Sequence, residues 1–410
     1  MIKSFVNFFS SLRLTVVLLG LALILVFIGT LAQVKVGLYV AQADYFRSLF
    51  VFWQPNGAGW KIPVYPGGWL LGGLLLTNLI AAHIKRFSIS KKKIGIFFIH
   101  GGLILLLLGQ FCTELFQVES NIRFAEGETR NYSEDSRLIE LAVIDVSNPD
   151  HDQVYSIPET FLAKGGEIRD AKLPFAIRVK KYFKNSDPAG PMSAATGEKI
   201  NSTKDDGTPM WFSEAPLTAT MNARNVPSAV LEFVSDKGVV GGKIASLWID
   251  EPQTIESAGR TYKFALRPIR YYKPYNITLI DFRHDLYQGT PTPKNFSSKI
   301  HLSDPTHGEE RDVLIKMNDP LRYGGETFFQ SGFDPKDDKV TILQVVRNPA
   351  AVTPYLACIL VGLGLLTQFL MHLVSFGKKS KGKKQAEPIR KPSPKVRPVV
   401  VSTSDERRMS

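Results

Sequence analysis

The chain has 410 residues, 44% of them hydrophobic, and its 50 Lys and Arg against 38 Asp and Glu give a formal charge of +12. A single soluble domain is excluded by where the charges fall, because Leu14–Val34, Ile62–Ile84, Ile94–Thr113 and Asn348–Gly377 hold no Asp, Glu, Lys or Arg over 21, 23, 20 and 30 residues. A nucleic-acid-binding surface is excluded too, since the basic excess is concentrated in Lys378–Ser410 (11 basic, 3 acidic), in Lys85–Lys93 (five basic, no acid) and at Lys3 and Arg13. Each charge-free run reaches the length of about 20 residues that carries a helix across a hydrocarbon core.

In chain order, residues 1–33 are expected to hold the N-terminus and a first spanning helix. This helix reads as retained, being longer than a signal-peptide core and followed by Gln33-Val34-Lys35 instead of small residues suited to cleavage. A loop follows at 34–66, a second span at 67–84, a basic link at 85–93 and a third span at 94–115. Residues 116–347 form a large domain, 351–376 the fourth span, and 377–410 a basic, disordered tail attracted to anionic headgroups. The positive-inside rule assigns both termini and the link to the cytoplasm, and the two other loops to the far side.

The large domain lacks helical periodicity and carries short alternating or β-branched and aromatic runs, the signature of strands. Examples are Leu138–Val146, Phe175–Phe183, Ser228–Val234, Lys243–Ile249, Tyr262–Ile269, Tyr275–Phe282, Asp312–Met317 and Val340–Val346. The fold class expected is an integral membrane protein of four transmembrane helices with an all-β exported domain, sandwich or open barrel, between helices 3 and 4. Asn185–Asn225, rich in Pro, Gly, Ser, Thr and Asp, reads as a long excursion between strands.

The chain has two cysteines, Cys112 and Cys358, both in spans and in no CxxC. A redox pair and two small apolar packing residues are the readings open to them. Three of seven histidines fall in spans, where an ionisable side chain points to function. His83 ends the second span, while His100 and His372 each lie about 9 Å from the cytoplasmic boundary. Imidazole nitrogens in the inner leaflet beside Lys85, Arg86, Lys91, Lys92, Lys93, Lys378 and Lys379 would suit haem, an apolar plane with a metal centre and two carboxylates. Zinc would usually recruit thiolate or carboxylate, which this leaflet does not offer. Against ligation stand plainer roles: His83 snorkelling to headgroups, His100 bonding across a close contact near Gly101 and Gly102, and His372 joining a polar stripe with Gln368. His284, His301 and His307 are assigned to surface or hydrogen-bonding roles.

The strings SLRLTVVLLGLALILVFIGTLAQ, PGGWLLGGLLLTNLIAAHIKRF, DFRHDLYQGTPTPKNFSSKIHL and NDPLRYGGETFFQSGFDP, the last followed by VVRNPA, resemble the ResB (CcsB) family of System II cytochrome c biogenesis. The resemblance runs from Ser11 to about Leu373. It implies an inner-membrane component of a cytochrome c synthetase complex that helps bind and move haem b and presents apocytochrome c for thioether attachment at CxxCH. A ResC/CcsA-type membrane protein is the implied partner, with a thioredoxin-like reductant acting indirectly. The partner's tryptophan-rich segment is absent, the five tryptophans being scattered at Trp53, Trp60, Trp69, Trp211 and Trp248. A family haem ligand at the inner end of the second helix matches His83 and its iron-binding role, with His100 and His372 as further candidate cofactor ligands. No catalytic residue is assigned, and the chain reads as a scaffold or non-catalytic subunit. A membrane sensor, a transporter and a thiol relay remain the other classes. The exported surface expected to meet apocytochrome is the stretch of Tyr287, Lys294 and Phe296.

Overall fold

The structure is a computed structural model. It describes residues 2–55, 59–85, 93–149, 151–190, 199–203, 205, 207–218, 224–236, 238–290, 293–334 and 336–385. Its helices are α1 (Ile2–Phe9), α2 (Leu12–Val36), α3 (Leu38–Ala41), α4 (Gly68–Lys85), α5 (Ile94–Phe116), α6 (Glu159–Lys164) and α7 (Thr353–Gln385), with a π-helical turn at Gln42–Phe46. Four of them, α2, α4, α5 and residues 353–377 of α7, are long and apolar enough to cross a membrane. The chain is a multi-pass membrane protein on this count. The basic link is described only at Lys85 and Lys93, and the tail only to Gln385.

The spans lie in the order α2, α4, α5, α7, with the extensive contacts between successive members. Glycines set the closest of these. Gly95, Gly102 and Gly109 recur every seven residues on one face of α5, and a Cβ on Gly102 would stand 2.7 Å from Val361 Cγ2 and 2.9 Å from the Ala357 carbonyl. Without side chains there, α5 and α7 approach closely enough for backbone-to-backbone packing, the usual cohesion between helices in lipid. Between α2 and α4 the fastening is polar. The buried Asn78 accepts from Thr15 Oγ1 at 2.7 Å and donates to the carbonyls of Phe9 and Ser11, at the break between α1 and α2. Gly37, at φ 82°, ends α2 and donates its N–H to the Gln33 carbonyl.

Two short strands, β1 (Phe50–Trp53) and β2 (Ile62–Pro66), make a hairpin between α2 and α4. The remaining strands are β3 (Val118–Ala125), β4 (Thr129–Asp145), β5 (Gln153–Pro158), β6 (Gly166–Ile168), β7 (Ala176–Phe183), β8 (Ser186–Ala189), β9 (Lys199–Thr203) and β10 (Pro209–Glu214). They continue with β11 (Ser228–Ser235), β12 (Gly238–Ser246), β13 (Gln253–Ser257), β14 (Arg260–Leu286), β15 (Pro293–Asp304), β16 (Glu309–Lys316), β17 (Leu321–Tyr323), β18 (Glu326–Asp334) and β19 (Asp337–Arg347). The main sheet runs β16-β15-β14-β4-β3-β19-β18-β17, with β13 beside β14 and β5 beside β4. It curls until β16 meets β17 and β18, which makes a nearly closed antiparallel barrel.

Both architectures expected of the domain are present, and β4 and β14 join them. The first half of β14 (Tyr262, Phe264, Leu266) packs with Leu141 and Val143 against Phe175, Ile177, Leu231 and Phe233 of a second sheet, β12-β11-β7-β6. The second half (Tyr275, Ile277, Leu279) faces the barrel core of Ile122, Phe124, Ile300, Leu302, Phe328 and Leu343. The two strands expected at Tyr262–Ile269 and Tyr275–Phe282 are thus one, running past Pro268 because a register shift there removes the need for its missing N–H. Within the expected excursion, β8, β10 and β9 form a small sheet whose Phe212 and Ile200 pack on Phe183 and Ile244. Residues 191–198 and 219–223 of that stretch lie outside the described ones.

The domain is fixed to the membrane part at two places. Asn348 donates to Thr113 Oγ1 and Gln117 Oε1 at 3.2 Å each, where the chain leaves α5 and returns towards α7. The Arg137 guanidinium of β4 stacks 3.7 Å over the Tyr39 ring of α3, so the first loop and the β domain share one side of the helix row.

Candidate functional site

α4 and α5 run antiparallel in a register fixed at one end by Trp69 against Phe111, ring centroids 5.5 Å apart. At the other end that register places His83, in the last turn of α4, 5.0 Å from the Phe97 ring and 6.1 Å from the His100 ring, the two imidazoles at 79°. Lys85 follows His83 by two residues, and Lys93 caps the start of α5. The sequence has no Asp or Glu between Asp44 and Glu114, and Glu114 lies at the far end of α5 from the imidazoles. Arg86, Lys91 and Lys92 lie outside the described residues.

His372 is held elsewhere. Its Nε2 is 3.0 Å from Gln368 Nε2, one turn back on α7. Gln368 lies level with Gly95, on the face of α5 that meets α7. His372 is one turn beyond that level and His100 five residues the other way, a separation of about 13 Å along the helices. The structure therefore brings His83 and His100 together and leaves His372 apart, because α4 and α7 dock on opposite faces of α5.

Among the described residues, no group of three or more His, Cys, Asp or Glu could hold a metal ion. The donor set is two imidazoles in apolar surroundings. Two neighbouring imidazoles would suit a metal that brings further ligands of its own, as haem iron does, and His83 and His100 are the residues here that would hold it. Phe97 supplies an aromatic wall beside His83, a contact missed in the sequence because it depends on the α4–α5 register.

Cys112 and Cys358 are both free thiols. Cys358 follows Ala357, which faces Gly102, whereas Cys112 lies beyond Gly109, so about 15 Å of helix separates their levels. A disulfide needs Cα atoms within about 7 Å.

In the β domain, His301 bonds Asp312 at 2.9 Å and Glu310 at 2.7 Å, and these carboxylates hold its pKa above the usual 6.5. The backbone N–H and Nδ1 of His307 both contact the buried Asp304. His284 departs from its expected surface or hydrogen-bonding role. Its ring is stacked 4.6 Å from Phe296 and tilted by 39° against Phe333 at 4.4 Å, with Nε2 buried and making no hydrogen bond. Phe296 thereby turns inward, while Tyr287 and Lys294 remain exposed. A polar cleft of about 420 Å³ is lined by Arg123, Arg130, Arg270, Tyr132 and Glu134. Its arginines are already paired with Asp334, Glu128 and Glu134.

A profile described as the ResB-like family matches residues 237–342, from β12 into β19, a stretch containing two of the strings on which the resemblance rests. Protein NrfI of Wolinella succinogenes is 33% identical over 125 residues, 30% of this chain and 13% of NrfI. The aligned part therefore spans about an eighth of that relative. The family match does not reach α4 or α5.

Proposed function

For a chain that matches the ResB-like family over residues 237–342, we propose the role of a membrane subunit in cytochrome c biogenesis, one that ligates haem through His83 and presents apocytochrome c to a ResC/CcsA-type partner. The observation that carries this reading is the pair of imidazoles from successive spans, 6.1 Å apart, at the end of α4 and start of α5 where Lys85 and Lys93 also lie. Haem is here a cargo. Its iron takes the imidazole of His83, and its two carboxylates meet the cations at the membrane surface. The positive-inside rule makes that surface cytoplasmic and the β domain exported, in the inner membrane.

In this reading, thioether formation joins each haem vinyl group to a cysteine thiol of the apocytochrome, and both reactants come from outside this chain. The β domain contributes binding surface, with Tyr287 and Lys294 on the exposed hairpin between β14 and β15 as its first contact residues.

Haem content of the complex purified with its partner tests the proposal. His83→Ala is expected to lower bound haem at unchanged protein level, with partial recovery in added imidazole. His100→Ala decides whether the second axial imidazole belongs to this chain or to the partner. Wild-type haem content in His83→Ala would refute the ligand assignment. An alkaline phosphatase fusion near Gly238 that stayed inactive would refute the orientation.

A further inference from the structure

The hairpin of β1 and β2 occupies an unusual level. Asn78 of α4 meets Thr15 of α2, and Leu71, Leu74 and Leu75 pack near Leu18, Leu21 and Leu25, so the two helices run side by side in antiparallel register. From that contact α4 continues only ten residues to its start at Gly68, whereas α2 continues twenty-one to Val36. At 1.5 Å per residue, α2 stands about 16 Å beyond the start of α4. The chain fills this corner. Phe46 of the π-helical turn covers Gly29, the hydroxyl of Tyr65 donates to the Leu21 carbonyl at 3.1 Å, and Val51 is buried among Leu18, Leu25 and Leu71. The root of the hairpin thus lies against the middle of a membrane span, close to the end of the shorter one. The ion pair of Arg47 with Glu114 marks where charge resumes on this side.

Beyond Val51 the hairpin is apolar and uncovered on both faces. Phe52, Trp53, Trp60 and Val64 are 54%, 55%, 56% and 56% exposed. Lys61 is the one charged residue from Ser48 to Gly67. Two tryptophans and a lysine around an apolar surface are the composition of a membrane–water boundary, where an indole has both an apolar and a wet side. The depth is bounded from the other direction as well: a two-stranded hairpin has open backbone edges, which hydrocarbon does not tolerate and the headgroup layer hydrates.

We infer that this hairpin is an interfacial anchor, its uncovered end seated at the headgroup–acyl boundary of the leaflet on the β-domain side, with phospholipid as the occupant and Lys61 at phosphate level. The anchor fixes the height of the β domain above the bilayer through α3, whose Tyr39 carries Arg137. This inference is independent of haem binding.

The test is fluorescence quenching in the full chain with Trp69, Trp211 and Trp248 replaced by Phe, so that Trp53 and Trp60 report alone. The protein is placed in vesicles of phosphatidylcholine brominated at acyl carbons 6 and 7, at carbons 11 and 12, or not at all. Expected are at least twofold quenching by the shallow bromines, weaker quenching by the deep ones, and loss of the quenched signal in Trp53→Ser/Trp60→Ser at normal insertion. Emission unaffected by bromine at either depth would overturn the inference. So would shallow quenching that disappears when the partner membrane protein is bound, since the uncovered end would then be a protein interface.

Discussion

Replacing Glu326 by Gln isolates a buried cation in the barrel. Lys273, whose side chain is 3% exposed, places Nζ 2.8 and 2.7 Å from the two oxygens of Glu326, and Tyr275 donates to the same carboxylate at 2.7 Å. Burial already lowers the pKa of Lys273, an effect that the carboxylate opposes. Gln keeps an acceptor for Tyr275 and removes the counter-charge. Breaking a buried pair in this way costs about 3–5 kcal/mol. The upper end is set by deprotonation: bringing a lysine from pKa about 10.5 to neutrality at pH 7 costs about 1.4 kcal/mol per unit, or about 5 kcal/mol. For a domain of this size the loss corresponds to a fall of roughly 10 °C in the unfolding temperature. Thermal unfolding of the full chain in detergent, followed by tyrosine and tryptophan fluorescence, reads it. Because a lowered lysine pKa destabilises the fold at pH values below the unfolded pKa, the deficit should shrink between pH 7 and 9. Lys273→Met/Glu326→Gln, which leaves no buried charge, should recover most of the loss. A Glu326→Gln protein within 2 °C of wild type, a figure on the order of 1 kcal/mol, or a double variant no better than the single one, would refute the account.

Three further outcomes follow from the packing. Asn78→Leu removes the donor to Phe9 and Ser11 at a cost of about 1–2 kcal/mol, and should speed maleimide labelling of a cysteine at the buried Ser10. Gly102→Leu should separate α5 from α7, seen as loss of the disulfide formed between cysteines at Thr113 and Asn348 in a background lacking Cys112 and Cys358. Asp304 has a pKa lowered to about 2, by His307 and then Tyr323, so its stabilisation is full above the usual 3.8 and is lost as pH falls through 2. Asp304→Asn should therefore flatten the dependence of unfolding temperature on pH between 4 and 2.

The spans were legible because hydrocarbon forbids charge over a fixed length, and absence of charge is visible residue by residue. Seven of the seventeen described strands of the β domain, β4, β7, β11, β12, β14, β16 and β19, were legible through alternation or through β-branched and aromatic runs. The charge-free run from Ile62 hides a strand before its helix, although Pro63 and Pro66 are signs that the helix cannot begin there. The union of two expected strands into β14 was not legible, since Pro268 reads as a break unless the neighbouring register shift is known. At the histidines, residue type and depth could be read, but not proximity. Whether His100 or His372 stands beside His83 depends on which face of α5 each neighbour takes. The heptad of Gly95, Gly102 and Gly109 carried that information for α7.

The two points where the β domain joins the helices lie side by side, the geometry of a domain inserted into a helical hairpin. Val118 and Arg347 pair across adjacent strands, and beneath them Gln117 and Asn348 are hydrogen-bonded. Gln117 and residues 348–352 would remain as the link from α5 to α7 if residues 118–347 were removed, a length ordinary for antiparallel helices. Apart from the stacking of Arg137 on Tyr39, the β domain and the membrane part then meet at one short seam, so that either can be altered with few changes in the other.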